Sequence, residues 1–149
     1  NYNSKLNIQN LLNFKKVCKK MQFKFLISNE IDLAFKYRLD GIYLPSFYNK
    51  FKHNKFKNYK NFIIIGSAHS IKEIRMKEKQ GVQQIFISPL FKTTKNNNYL
   101  GIMKFNNLSK STTKPLIALG GINNNNIKQL KLVNSMGFAG ITYFNKKNS

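Results

Sequence analysis

The sequence predicts an α/β fold, a parallel sheet covered by helices. Three observations carry that expectation. Short apolar runs recur along the chain, at residues 23–28, 41–45, 62–67, 84–90, 115–119 and 139–144. The runs are near-continuously apolar rather than alternating, as strands buried on both faces are. Segments of helical spacing separate them, at about 20 to 30 residues per unit. Both a (β/α) barrel and a doubly wound sheet fit this pattern.

Each element has its own signal. Residues 6–21 read as a leading helix, and FKFLIS at 23–28 as the first strand. In the next segment, 29–39, Ile31, Leu33, Ala34, Phe35 and Tyr37 have helix-compatible spacing. GIYLP at 41–45 is the second strand, and lysine- and phenylalanine-rich residues 46–60 form a helix or a loop. FIIIGS at 62–67 is the third strand. Ser70 and Glu73 then make a capping box, in which each side chain satisfies the other's backbone donor. That helix runs to about Gln80 and stops at Gly81. Residues 84–90 are the fourth strand, 101–109 a helix, and PLIAL at 115–119 the fifth strand. A helix over 123–136 carries Ile127, Leu130, Leu132 and Val133 and ends at Gly137. AGITYF at 139–144 is the sixth strand. Ile63, Ile64, Ile85, Ile87, Ile117 and Ile141 are the expected core strand residues.

Composition bounds the function classes. A chain of 149 residues, 42% hydrophobic, fits one domain over 1–149. The net charge of +21 invites a nucleic-acid partner. Against that, Arg38 and Arg75 are the only arginines, and the lysines are dispersed among equally abundant asparagines. AT-rich codons for Lys, Asn, Ile and Phe account for such a bias, and most of the phenylalanines fall in apolar runs rather than on a stacking surface. No nucleic-acid partner is expected. Cys18 is the only cysteine, so no internal disulfide forms. No signal peptide is expected and no apolar run reaches roughly 20 residues, so the expectation is a cytoplasmic protein without membrane contact. The chain opens on Asn1, as a chain lacking its start would.

The stretch SPLFKTTK, 88–95, ends the fourth strand in hydroxyls and a lysine, where a plain turn favours Gly, Asn or Asp. Ligands of parallel α/β folds bind at the C-terminal strand ends. Collected there are Ser28, Asn29 and Glu30; Pro45 and Ser46; Ser67 and His69; Ser88, Thr93, Thr94 and Lys95; Gly120 and Gly121; and Phe144 and Asn145. Small hydroxyls, glycines and a lysine suit phosphate groups. Plainer roles exist beside this one. Gly120–Gly121 can simply turn a strand into a helix, Ser67 and Ser70 can cap, and residues 123–126 can form an N-cap. His69 reads as a solvated or hydrogen-bonded loop histidine, and His53, in a lysine-rich loop, as inert.

The stretches IIIGSAHSIKEI, SPLFKTTK, ALGGINNNNI and GFAGITYF, with FLISNEIDLAFKYRLDGIYLP, resemble in order and spacing the thiamine-phosphate synthase/TenI family, over about residues 23–145. The resemblance implies a TIM-type (β/α) barrel, truncated at its N-terminus to about six of eight βα units. It implies condensation of hydroxymethylpyrimidine diphosphate with thiazole phosphate, releasing diphosphate. Ser67 and Lys95 would be the catalytic pair on the diphosphate. Thr93, Thr94 and Gly121, with the backbone near Phe144 and Asn145, would hold the thiazole phosphate, and Ser28 and Asn29 would also contact substrate. Mg2+ is the implied cofactor, but its acid pair falls at Asn29 and Tyr48, leaving Glu30 as the candidate metal ligand. A Gln-x-Arg-x-x-Lys-type stretch of the family has no counterpart, the Thr-x-Thr-Lys loop is one residue short, and the tautomerase histidine falls at Pro89. The alternative is a degraded or TenI-like paralogue that binds a phosphorylated thiazole or thiamine ligand without synthase activity. Six strands also leave two bare edges, so a further N-terminal segment or a homo-oligomer is expected to cover them.

Overall fold

Asn7 opens the first helix, α1 (Ile8–Lys20), by accepting the Asn10 amide on its side chain. Lys19 and Lys20 occupy its last turn, where the helix dipole favours cations. Lys15 ties α1 to the chain after the second helix by donating to the Tyr37 carbonyl at 2.7 Å. The computed structural model describes residues 7–50, 61–94 and 97–145.

Six strands follow among the described residues: β1 (Leu26–Ser28), β2 (Gly41–Leu44), β3 (Ile63–Ala68), β4 (Gln84–Ile87), β5 (Leu116–Leu119) and β6 (Gly137–Ala139). Every neighbouring pair is parallel, and the spatial order is the sequence order. A doubly wound sheet reverses its order at a switch point. This one never does, so it winds as a (β/α) barrel, open between β1 and β6. Between the strands lie α2 (Ile31–Lys36), α3 (Ile71–Lys79), α4 (Gly101–Ser109) and a 3-10 helix (Ile127–Leu132), and α5 (Ile141–Asn145) follows β6.

The two faces of the sheet differ. Ile27, Ile42, Leu44, Ile64, Ala68, Ile85, Ile87, Leu116 and Ala118 are buried, and they share the face toward the helices. Tyr43, Ile65, Phe86 and Ile117 share the other face and are half-buried. The Tyr43 and Phe86 rings lie 5.9 Å apart there. Continuous apolar runs predict burial on both faces; the inner one is only half covered because β1 and β6 do not pair. Of the expected core, Ile64, Ile85 and Ile87 are buried and Ile63 and Ile117 half-buried.

The sixth strand departs from expectation. It ends at Ala139, and residues 141–145 are helical, leaving Ile141 79% exposed. A strand continues only where a neighbour accepts its ladder. Beyond β6 there is none among the described residues, and the chain after Gly140 satisfies itself locally, as in the Phe144 amide donating to the Gly140 carbonyl. The helix expected over 123–136 shrinks to the six-residue 3-10 helix. Asparagines 123–126 compete for their own backbone: Asn126 Oδ1 accepts the Asn123 amide and Asn123 Oδ1 the Asn125 amide.

Candidate functional site

The C-terminal rim of β1 holds two unusual atoms. Ser28 lies on the inner face, level with Tyr43. Asn29 turns the chain into α2 through a left-handed backbone, φ 63°. Its amide donates to the Tyr43 carbonyl at 3.1 Å. Ser28 Oγ and Asn29 Oδ1 are both buried, and neither has a hydrogen-bond partner among the described residues. Such atoms are rare in folded proteins and cost about 1–3 kcal/mol each.

At the end of β3, Ser67 faces the same side and is 4% exposed. His69 follows it. The His69 ring bridges to β4, with Nδ1 donating to the Ser88 carbonyl. The expected capping box forms in a shifted version. Ser70 Oγ accepts the Glu73 amide at 3.3 Å, but Glu73 accepts the amide of His69 rather than that of Ser70. The carboxylate reaches one residue further back and so fixes the backbone leaving β3. His69, Ser88, Pro89, Asn98, Tyr99, Leu100 and Lys104 line a cleft of about 370 Å³ beside this point.

The loop from Ser88 packs on the turn after β5. Leu90 donates its amide to the Leu119 carbonyl at 2.8 Å, and Phe91 to the Gly120 carbonyl at 3.1 Å. Gly120 and Gly121 both have positive φ, 94° and 71°. A Cβ on Gly121 would meet the Phe91 and Lys92 carbonyl oxygens, and one on Gly120 would meet Pro89. The two glycines are therefore where backbone touches backbone, beyond merely turning a strand. The amides of Gly121 and Ile122 make no hydrogen bond among the described residues. Asn123, Asn125, Asn126 and Ile127 spend theirs on one another's oxygens. The amides left without a partner here thus belong to the glycine turn, and in place of the expected α-helix stands the 3-10 helix.

The structure gathers Ser28, Asn29, Ser67, Thr93, Thr94 and Gly121 at one end of the sheet. Thr93 is half-buried and Thr94 exposed. Lys95 lies outside the described residues, as does His53. Phe144 and Asn145 are not at a strand end: both belong to α5, and the Phe144 ring stacks on Phe138 at 5.9 Å. Only the backbone of Asn145 is described.

Sequence reasoning missed Lys77 and Gln80. Lys77 is fully buried, donating to the carbonyls of Pro45 at 2.5 Å and Tyr48 at 2.9 Å and to Gln80 Oε1 at 3.0 Å. Burial lowers its pKa to about 8, against a smaller opposing effect of Glu73. The signal was its place three residues after the core residue Ile74, on the apolar face of α3.

Mg2+ prefers oxygen donors, usually one or two carboxylates plus substrate phosphates. At the two positions where the resemblance puts acids stand Asn29 and Tyr48, both uncharged. Burial, then the charges of Asp32 and Glu30, push the Tyr48 hydroxyl up from its usual pKa, so it stays protonated. Glu30 is exposed, and no group of three His, Cys, Asp or Glu able to hold a metal occurs among the described residues. These donors do not fit a protein-built Mg2+ site.

A sequence model of the thiamine monophosphate synthase family matches residues 2–144. The chain belongs to that family. Among its relatives, an Aquifex aeolicus protein named as a candidate thiamine-phosphate synthase is 33% identical over 129 residues, covering 85% of this chain and 68% of that one. The thiamine-phosphate synthase of Prochlorococcus marinus is 36% identical over 124 residues, covering 78% of this chain but 34% of that protein. The chain thus spans about two thirds of one relative and about a third of the other. In fold it is similar to a thiamine phosphate pyrophosphorylase from Pyrococcus furiosus, with TM-score 0.72 at 19% identity over 93% of this chain and 68% of that one. No helix among the described residues is long and apolar enough to cross a membrane.

Proposed function

We propose that this chain acts in thiamine biosynthesis as a cytoplasmic thiamine-phosphate synthase. Its substrates are hydroxymethylpyrimidine diphosphate and thiazole phosphate. The carbon–oxygen bond to diphosphate breaks with its electron pair going to oxygen, and the thiazole nitrogen lone pair closes on the pyrimidine methylene carbon. The protein's task is to hold both substrates in line and to stabilise the departing charge. Ser67 and Lys95 face the diphosphate in this reading, with Ser28 and Asn29 beside the pyrimidine. Thr93, Thr94 and the Gly121 and Ile122 amides hold the thiazole phosphate. Any Mg2+ would arrive with the diphosphate, and no step here is routed through it.

The observation that carries the reading is the contact between the loop 88–92 and the turn Gly120–Gly121, which leaves two backbone amides unspent beside a hydroxyl-rich loop. One hydrogen bond to a charged group is worth about 1.5–3 kcal/mol. Lys95→Ala should therefore weaken thiazole phosphate or the diphosphate substrate by about tenfold or more in a calorimetric titration. A coupled assay for thiamine phosphate, with and without Mg2+, tests the reaction itself. Binding of thiazole phosphate without turnover would leave a ligand-binding paralogue. Absence of binding would end the reading.

A further inference from the structure

We propose that Lys77 and Gln80, on the buried side of α3, are positioning residues that clamp the loop of residues 45–50 and so shape the pyrimidine end of the site. The inference rests on the synthase reading above. Its geometry does not.

An ammonium has three donors. Lys77 spends all three, on the Pro45 carbonyl, the Tyr48 carbonyl and Gln80 Oε1. Gln80 Nε2 adds bonds to the Tyr48 carbonyl at 2.8 Å and the Lys50 carbonyl at 3.2 Å. The loop also makes a backbone bond of its own here, Tyr48 amide to Pro45 carbonyl at 3.0 Å. Three loop carbonyls are thus fixed by two side chains from another element. Gly66 makes room for this: a Cβ there would lie 2.8 Å from the Lys77 Cδ. The same loop carries Tyr48, whose hydroxyl feels Asp32 in the first turn of α2 and Glu30 at its N-cap. The clamp therefore sets Tyr48 against the rim that also holds Ser28 and Asn29.

A buried ammonium without a carboxylate partner is a costly way merely to fill space, since apolar residues of similar volume do so without the desolvation penalty. What it adds is a fixed loop. Glu73 on α3 is the charged group acting on Lys77; the loop faces it with carbonyls, and Gly66 and Val82 with no charge. Loss of its proton removes one of three donors, so the clamp weakens above about pH 8.

Hydrogen exchange and calorimetry on Lys77→Met and Gln80→Leu test this. Exchange over residues 45–50 should quicken by about tenfold, the effect of one lost charge-assisted bond, while residues 116–122 stay as protected as before. The pyrimidine diphosphate Kd should rise by a similar factor and the thiazole phosphate Kd should not move. In the unmodified chain, pyrimidine diphosphate affinity should decline above about pH 8; in Lys77→Met that decline should vanish. Unchanged exchange over 45–50 in a folded variant overturns the clamp, and so does equal weakening of both substrates. If Lys77→Met does not fold, Gln80→Leu decides, because it leaves the ammonium two acceptors. If the unmodified chain binds neither substrate, the synthase reading fails while the exchange data still judge the clamp.

Discussion

The carbonyl oxygen of Phe91 occupies the place where Gly121 would carry a Cβ. This contact joins the phosphate-suited loop to the turn after β5, and it makes the glycine compulsory twice over. Its φ of 71° disfavours any side chain, and the space is filled by backbone.

Gly121→Ala should therefore destabilise the fold by more than about 2 kcal/mol, combining left-handed strain with a clash that neither loop relieves cheaply. Urea denaturation measures it. Gly81→Ala is the control: it shares the positive φ, but nothing lies within 4 Å of its Cβ position. It should lose only the conformational part, about 1–2 kcal/mol. Equal losses at both sites would remove the case for a tight loop contact at Gly121.

Lys77 gives stability a pH dependence of known sign. Its folded pKa is about 8, below its ordinary value of 10.5. Between these values the unfolded chain binds more protons, so stability rises with pH, at up to roughly 1.4 kcal/mol per pH unit. Below about pH 8 this contribution is flat. Denaturation curves from pH 7 to 10 should show the rise in the unmodified chain and lose it in Lys77→Met. Lys77→Met, which lacks the buried ammonium, is the baseline.

Ile85 and Ile141 show what was legible in the sequence. Both sit in apolar runs, yet Ile85 is fully buried and Ile141 79% exposed. Strands β2 to β5 were readable because each has neighbours on both sides, so an apolar run is enough to fix it. The end of the sixth was not, because its ladder depends on a partner strand that the run itself does not encode. Lys77 was hidden for another reason: lysine ordinarily reads as a solvated residue, and only its spacing from Ile74 says otherwise. Ser28 and Asn29 were legible as rim positions, but their lack of partners emerges only in three dimensions. Ile85→Ala should cost about 2–5 kcal/mol, and Ile141→Ala no more than about 0.5 kcal/mol, by chemical denaturation. A large loss at Ile141 would mean that the 139–144 strand forms after all.

Among the described residues nothing pairs with the outer sides of β1 and β6, which present backbone donors and acceptors of the kind that recruit another chain. We expect self-association that grows with concentration, visible by sedimentation velocity. A charge on the β6 edge, as in Phe138→Lys, should reduce it. A chain that stays monomeric across the micromolar to millimolar range would show that the edges are protected.

Ser28 offers a test in which stability and binding move in opposite directions. Its Oγ is buried without a partner among the described residues, a cost of about 1–3 kcal/mol to the ligand-free protein. If that hydroxyl waits for a substrate, Ser28→Ala should raise the melting temperature of the ligand-free chain. The same change should lower the affinity for pyrimidine diphosphate by about tenfold, one hydrogen bond's worth. A hydroxyl serving only the fold would do the reverse, destabilising when removed and leaving the titration unaltered. Asn29→Gly separates the two parts of its neighbour: it keeps the left-handed backbone and removes the unpartnered Oδ1. It should weaken the same substrate with little change in folding, measured by melting and calorimetry side by side. Should both variants bind pyrimidine diphosphate as well as the unmodified chain, the β1 rim lies outside the site.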